Sequence, residues 1–233
     1  MFYRIKVFWV TCFIQRIIYL LCKIPFKYFF NLNVIGLENL SDLRQVIFAV
    51  NHTSQFDPFF LNSGLSFLHP LKPIFFVARE RKFYGDMSIG RWLYGKYLFQ
   101  ILGAHRVYVG LKDYRQAFVN HIEILNAQGS VCIFPEGTRT KDGDIHEAKG
   151  GVGFLSSYLH IPVMPVYISQ AFGISFRSVL SRKHSITVCF GKPIFPKRRK
   201  VLSHEESKEF SNKIMDEIRA LKVIHEYKIK SNQ

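Results

Sequence analysis

The chain has 233 residues, which is enough for one α/β domain with a substantial hydrophobic core. Its formal net charge is +15 and apolar residues make up 48% of it, so we expect an anionic partner: membrane lipid, nucleic acid, or an acidic substrate or carrier. The four cysteines, at positions 12, 22, 132 and 189, form no C-x-x-C pair, which argues against a zinc site or disulfide framework and predicts buried free thiols.

Residues 1–30 are predicted to be a helical segment that associates with a membrane. At about 100° per residue, one face is apolar and the opposite face is polar and basic, which is typical of a helix lying in the membrane interface. Pro25 is expected to interrupt this helix, with 26–30 continuing as a second short one. A helix packed on the domain's own core is the alternative. The apolar face comprises Phe13, Ile14, Ile17, Leu20, Leu21 and Ile24, and the polar face Thr11, Gln15, Arg16, Tyr19 and Lys23.

Residues 31–233 are predicted to form an α/β domain in which strands alternate with helices. This alternation predicts a mixed, largely parallel sheet flanked by helices. The charge clusters at 79–82 and 196–200 are interpreted as solvated. Strands are expected at 46–50, 74–78, 103–110, 131–134, 162–168 and 186–190. Helices are expected at 58–68, 88–102, 114–128, 149–159 and about 203–226. Ser203 and Glu206 are expected to form a capping box at the start of the last helix.

Polar side chains follow two of the predicted buried strands. His52 and Asp57 come after the first, and Glu136 and Arg139 come after the strand at 131–134. The carboxyl ends of strands in α/β sheets are where sites tend to be built. An aspartate that accepts a hydrogen bond from one imidazole nitrogen fixes the tautomer and leaves the other nitrogen free as a base. A buried histidine and a local Glu–Arg pair also have structural explanations, but their occurrence at two strand ends favours a site.

With these residues, the sequence resembles the lysophosphatidate and glycerol-phosphate acyltransferases, a membrane-associated family. Asn51, His52 and Asp57 match its N-H-x-x-x-x-D block, and 134–139 match its F-P-E-G-T-R signature. The segment 161–166 resembles the V-P-(V/I)-x-P-V block, 34–40 resembles V-x-G-x-E-N-L, and Lys149 with Gly150 fits a K-x-G stretch. The resemblance covers about residues 34–195, in the family's order.

The resemblance implies an O-acyltransferase that moves a fatty acyl group from a thioester to a lysophospholipid hydroxyl, most simply converting 1-acylglycerol-3-phosphate to phosphatidic acid. His52 would be the base and Asp57 its orienting partner. No bound cofactor or metal is implied; acyl-CoA or acyl-carrier protein is a cosubstrate. Membrane lipids are the expected partners, at the cytoplasmic face of a membrane (the inner membrane if the protein is bacterial). The implied substrate-binding residues are Glu136, Gly137, Thr138, Arg139 and Lys149, and Arg106 is added as a candidate for the reason given next.

One position departs from the family. The block G-A-x-x-V-x-R helps to hold the acceptor phosphate, and here Val109 occupies the place of its arginine. Arg106 or Lys112 could supply the cation instead. Equally, the acceptor could be another lysophospholipid or a lyso-ornithine lipid.

A non-enzymatic basic module that binds lipid or nucleic acid is the alternative of another class. Its support is the net charge and the basic run at 196–200. The basic residues are scattered and include no nucleic-acid-binding motif, so no nucleic-acid partner is expected.

Overall fold

The strands form one seven-stranded sheet in the computed structural model, which describes residues 2–79, 100–174, 185–196 and 202–231. Its order is β1-β7-β6-β2-β5-β3-β4, and all neighbours run parallel except β6 and β7. The predicted mixed, largely parallel sheet is therefore confirmed. The strands are β1 (Asn33–Ile35), β2 (Ile47–Val50), β3 (Ile74–Arg79), β4 (Ala104–Val107), β5 (Ser130–Ile133), β6 (Val163–Ile168) and β7 (Thr187–Phe190).

Helices cover both faces of the sheet, which explains why the central strands are continuous apolar runs. Phe48 and Val50 of β2 point into one core with the helix at 57–64, whereas Ile47 and Ala49 point into the other with the helices at 151–159 and 204–231. The helices are α1 (Phe2–Phe30), α2 (Asp57–Gly64), α3 (Tyr114–Ala117), α4 (Val119–Asn126), α5 (Gly151–Leu159) and α6 (His204–Ser231), with a 3₁₀ helix at Leu37–Leu40.

Most helix predictions are confirmed with shifted ends. The helix expected at 114–128 is divided into α3 and α4, and α2 is shorter than the 58–68 that was predicted. The capping box of α6 is present, because the N–H of Glu206 donates to Ser203 Oγ (3.1 Å) and the N–H of Ser203 donates to Glu206 Oε2 (2.8 Å). The helix expected at 88–102 and the basic run at 196–200 lie almost wholly outside the described residues. Cys12, Cys132 and Cys189 are buried free thiols, as predicted.

The N-terminal segment is a single helix, so the predicted interruption at Pro25 is wrong. Proline removes one backbone hydrogen bond from a helix, but here the last turn is held by packing. Phe30, at the end of α1, is 3% exposed. Its ring packs edge to face on the ring of Phe60, with the two ring centroids 5.0 Å apart. Among the described residues, no helix combines the length and the apolar character that a membrane crossing requires.

The amphipathic pattern of α1 is present, but its polar face is turned towards the protein. Thr11, Gln15 and Tyr19 are buried, whereas Phe13 is 65% and Ile24 76% exposed. Gln15 explains how a polar side chain is accommodated: Oε1 accepts the N–H of Ile74 (2.9 Å) and Nε2 donates to the carbonyl of the same residue. A side-chain amide thus pairs with both backbone groups of the first residue of β3, and it attaches α1 to the sheet.

We predict that Gln15→Ala lowers the free energy of unfolding by about 2–4 kcal/mol, because a buried N–H and a buried carbonyl of Ile74 lose their partner. Urea unfolding followed by circular dichroism measures the change. Lys27→Ala is the matched control, since Lys27 is exposed on the same helix, and we expect it to change stability by less than about 0.5 kcal/mol. Equal unfolding midpoints for the two variants would contradict the anchoring role of Gln15.

Candidate active site

The loop after β2 brings His52 and Asp57 together. Asp57 is the first residue of α2, and the turn before it is closed by its own N–H, which donates to the carbonyl of Ser54 (3.4 Å). The distance from His52 Nδ1 to Asp57 Oδ2 is 2.9 Å. The turn over the five residues from His52 to Asp57 therefore brings the carboxylate within hydrogen-bonding distance of the imidazole.

Asp57 Oδ2 is the acceptor for three donors in this turn. The backbone N–H groups of Thr53 and Ser54 each lie 2.9 Å from it, beside the ring nitrogen of His52. Burial raises the pKa of Asp57, and the hydrogen bond from His52 and the two backbone N–H groups oppose this shift. Because Asp57 accepts at Nδ1, that nitrogen carries the proton and Nε2 is the basic nitrogen of His52.

Two neighbouring side chains, whose roles were not predicted, hold His52 in position. Its ring is stacked on Phe134, with centroids 4.0 Å apart and an interplanar angle of 19°. Asn51 is buried and pairs with Ile168 at the end of β6: Oδ1 accepts the N–H (2.7 Å) and Nδ2 donates to the carbonyl (3.0 Å). The polar residues after the buried strands indicated that these loops form a site. They did not indicate that Phe134 would stack on His52 or that Asn51 would pair with Ile168.

Glu136 is buried beside His52, and both its carboxylate oxygens accept backbone N–H groups. The N–H of His52 donates to Oε1 (3.1 Å), and the N–H of His146 donates to Oε2 (3.2 Å). Burial raises the pKa of Glu136, while these two backbone hydrogen bonds lower it. Glu136 therefore links the loop after β2 to the segment before α5. These contacts suit a positioning role, and the substrate-binding role that the resemblance implies for Glu136 stays a prediction.

A cavity of about 1370 Å³ opens beside this pair. His52 lines it, together with Gly137, Thr138, Arg139 and Lys149 from the predicted site. Arg139 and Lys149 are exposed, and neither forms an ion pair within the described part of the chain. The cavity therefore combines a basic nitrogen with unneutralised cations.

The loop geometry explains why Gly137 and Lys149 occur together. Gly137 has φ +74°, a left-handed conformation that glycine adopts without strain. A Cβ at this position would lie 3.3 Å from Lys149 Nζ, so the lysine side chain runs directly along the glycine. The ammonium group is thereby held at the wall of the cavity beside Thr138 and Arg139.

Arg106 is not among the residues that line this cavity, whereas Arg79 is. Arg79 ends β3 and pairs in register with Val107 of β4, so its backbone lies next to the segment where the family's arginine is replaced by Val109. The sequence interpretation assigned Arg79 to a solvated charge cluster. Its position directly after a buried strand, the signal that identified His52 and Glu136, could have found it.

In the part of the chain that the structure describes, the His, Cys, Asp and Glu side chains form no group of three or more that could hold a metal ion. A sheet covered on both faces, with a His–Asp pair at the carboxyl end of its central strand, defines an α/β protein equipped for general-base chemistry.

Comparison with known proteins assigns the family. The acyltransferase family model matches residues 31–169, and the chain belongs to this family. The chain is 25% identical over 175 residues to a probable 1-acyl-sn-glycerol-3-phosphate acyltransferase of Mycoplasma pneumoniae. It is 27% identical over 147 residues to human 1-acyl-sn-glycerol-3-phosphate acyltransferase beta. These matches cover 70% and 62% of this chain but only 61% and 49% of the two relatives.

The fold resembles that of the 1-acyl-sn-glycerophosphate acyltransferase PlsC from Thermotoga maritima. The TM-score is 0.58 at 20% sequence identity, and the similarity covers 85% of this chain and 73% of the other. At this identity the likeness concerns the fold alone. It supports an α/β architecture with helices on both faces of the sheet.

We predict that Glu136→Ala accelerates amide hydrogen exchange at His52 and His146 by roughly 10- to 100-fold, because each N–H loses its charged acceptor. Nuclear magnetic resonance or mass spectrometry measures the exchange. Glu136→Gln keeps one acceptor oxygen, so we expect a smaller acceleration. The N–H of Ile168, which donates to Asn51, is the internal control and should be unaffected. Unchanged exchange at both histidines in Glu136→Ala would refute the positioning role.

Proposed function

We propose that this protein transfers a fatty acyl group from an acyl thioester to the hydroxyl of a lysophospholipid, with 1-acylglycerol-3-phosphate as the acceptor. The observation that carries this proposal is the pairing of His52 Nδ1 with Asp57 at 2.9 Å in a cavity that also contains Arg139 and Lys149. The pair supplies a base for a hydroxyl, and the cations supply a site for a phosphate. The relatives from Mycoplasma pneumoniae and human, both named 1-acyl-sn-glycerol-3-phosphate acyltransferases, support the same acceptor.

His52 acts as general base and then as general acid. Nε2 takes the proton of the acceptor hydroxyl while the oxygen attacks the thioester carbonyl, which forms the new C–O bond. When the tetrahedral intermediate collapses, the C–S bond breaks and the imidazolium returns the proton to the leaving thiolate. Asp57 remains a carboxylate and stabilises the imidazolium between the two steps. Phe134, stacked on the ring, restricts its rotation.

The acceptor phosphate is bound by Arg139, Lys149 and Arg79. All three line the cavity, and a guanidinium can bind two phosphate oxygens at once. The N-terminus of α5 adds a favourable dipole, because Gly150 and Gly151 line the same cavity and the first turn carries no acidic side chain. Arg79 takes the role for which the sequence suggested Arg106 or Lys112 as substitutes for the family's missing arginine.

The acyl chains occupy the apolar part of the cavity. Ile18 of α1, Phe59 of α2 and Leu102 contribute to its wall, so the chain-binding part extends towards the N-terminal helix. The outward apolar face of α1 then lies in the membrane interface, where acceptor and product reside. We place the protein at the cytoplasmic face, where acyl-CoA and acyl-carrier protein are the available thioesters. The acyl group is already activated, so the mechanism uses no bound cofactor.

We predict that His52→Ala reduces kcat by roughly 10²- to 10⁴-fold in a transfer assay with labelled acyl donor and 1-acylglycerol-3-phosphate, because the proton of the hydroxyl loses its acceptor. Asp57→Asn should lose activity over a similar range, since an amide can present its N–H to Nδ1 and favour the wrong tautomer. His160→Ala, on the exposed C-cap of α5, is the control and should keep wild-type activity. Full activity in His52→Ala would overturn the proposed mechanism.

We predict that Arg139→Gln and Arg79→Gln each raise KM for 1-acylglycerol-3-phosphate by roughly 10- to 100-fold, because each removes a charge-assisted hydrogen bond to phosphate. Arg106→Gln, outside the cavity lining, should leave KM unchanged.

The same variants distinguish the second candidate acceptor, a lyso-lipid without a phosphomonoester, such as another lysophospholipid or lyso-ornithine lipid. Val109 favours it, because an apolar residue lines the cavity where the family carries an arginine. If Arg139→Gln left KM for 1-acylglycerol-3-phosphate unchanged while wild type acylated the other lyso-lipids faster, the second acceptor class would be favoured.

A further inference from the structure

Lys72, in the loop before β3, is buried without a hydrogen-bonding partner. The residue is 7% exposed, and Nζ has no acceptor among the described residues. Nζ lies over the ring of Tyr19 of α1, at 4.3 Å from the ring centroid. A cation over an aromatic ring gains some stabilisation, but the charge itself is not neutralised.

A second cation lies beside it on α1. Arg16 has a buried Nε with no partner in the described part of the chain, and its guanidinium carbon is 5.7 Å from the ring centroid of Phe67. No described carboxylate forms an ion pair with either residue. Burial, and then the charge of Arg16, lower the pKa of Lys72 to about 8. A pair of cations in this setting is unfavourable until an anion joins it.

The position of Arg16 on α1 indicates where such an anion would come from. At about 100° per residue, Arg16 lies between the buried side of the helix, with Cys12 and Tyr19, and the exposed apolar side, with Phe13 and Leu20. The loop that carries Lys72 contributes an outward apolar residue as well, because Leu68 is 71% exposed. Arg16 is half-buried, so its guanidinium is within reach of a ligand at this border.

We infer that Arg16 and Lys72 form a binding site for the phosphate of an anionic membrane phospholipid that is distinct from the substrate cavity. The phosphate contacts the Arg16 guanidinium. The buried Lys72 ammonium also attracts the phosphate, because its charge is little screened by solvent. The acyl chains of the same lipid extend along the exposed apolar face of α1. The inference rests on the proposed membrane contact of α1. Neither Arg16 nor Lys72 lines the large cavity, so this lipid is not the acceptor.

The test measures binding of the full chain, purified in detergent and diluted, to vesicles of phosphatidylcholine with or without phosphatidylglycerol. The readout is the ratio of the two partition coefficients from co-sedimentation. Wild type should prefer the vesicles with phosphatidylglycerol. Arg16→Gln should reduce this preference about tenfold or more, because it removes the phosphate contact. Lys27→Gln, which removes an exposed charge from the same helix, should reduce it by about fivefold or less.

Lys72→Met provides a second readout that a structural lysine would not give. Methionine keeps the packing against Tyr19 without the unneutralised charge, so we expect Tm to rise while the preference for phosphatidylglycerol falls. The two substitutions should be non-additive: once Arg16 is replaced, Lys72→Met should change the preference little. Unchanged preference in Lys72→Met, or equal losses in Arg16→Gln and Lys27→Gln, would overturn the site.

A double variant separates this inference from the proposed function. Leu20→Ser with Ile24→Ser alters only the exposed apolar face and should weaken binding to both kinds of vesicle. If it does, while wild type shows no preference for phosphatidylglycerol, the membrane contact stands and the headgroup site is refuted. If inorganic phosphate raises the Tm of wild type but not of Arg16→Gln in the absence of such a preference, the site binds free anions and the lipid assignment is wrong.

Discussion

One buried carboxylate oxygen, Asp57 Oδ2, organises the candidate active site. It accepts the ring N–H of His52 and the backbone N–H groups of Thr53 and Ser54, all at 2.9 Å. Without it, two backbone donors in a buried turn would lose their acceptor, and the tautomer of His52 would not be fixed. Asp57 is also the first residue of α2, so the docking of this helix on the sheet sets the position of the carboxylate.

The order of the strands explains how the rest of the site is held around this turn. β2 lies between β5 and β6, so the loops that follow these three strands meet at one edge of the sheet. The contacts between these loops use backbone groups: the side chain of Asn51 pairs with the N–H and the carbonyl of Ile168, and the N–H of Thr140 donates to the carbonyl of His52 at 2.9 Å. Such contacts do not depend on a bound substrate, so His52 is positioned before the substrate arrives.

The sequence predicted every strand except β1, the meeting of His52 with Asp57, and the nearness of Glu136, because these follow from apolar runs and short spacings. It did not predict the contacts of Glu136, since the N–H groups that donate to a carboxylate depend on how distant loops are arranged. Arg79 and Arg106 illustrate a second limit. Its place after a buried strand makes Arg79 a candidate, but only the folded structure shows that Arg79, and not Arg106 of the neighbouring edge strand β4, lines the cavity.

The orientation of α1 was also beyond the reach of the sequence, because periodicity separates two faces of a helix without saying what covers each. Here the polar face is covered by the protein, through the pairing of Gln15 with Ile74, and the apolar face is turned outwards. Ile18 of the same helix lines the cavity beside His52. One helix, about 10 Å across, therefore stands between the cavity and the surface that we propose contacts the membrane. A lipid acceptor would need to move only past this helix to pass between the bilayer and the cavity. This short path explains why α1 carries both an apolar outer face and a residue that lines the cavity.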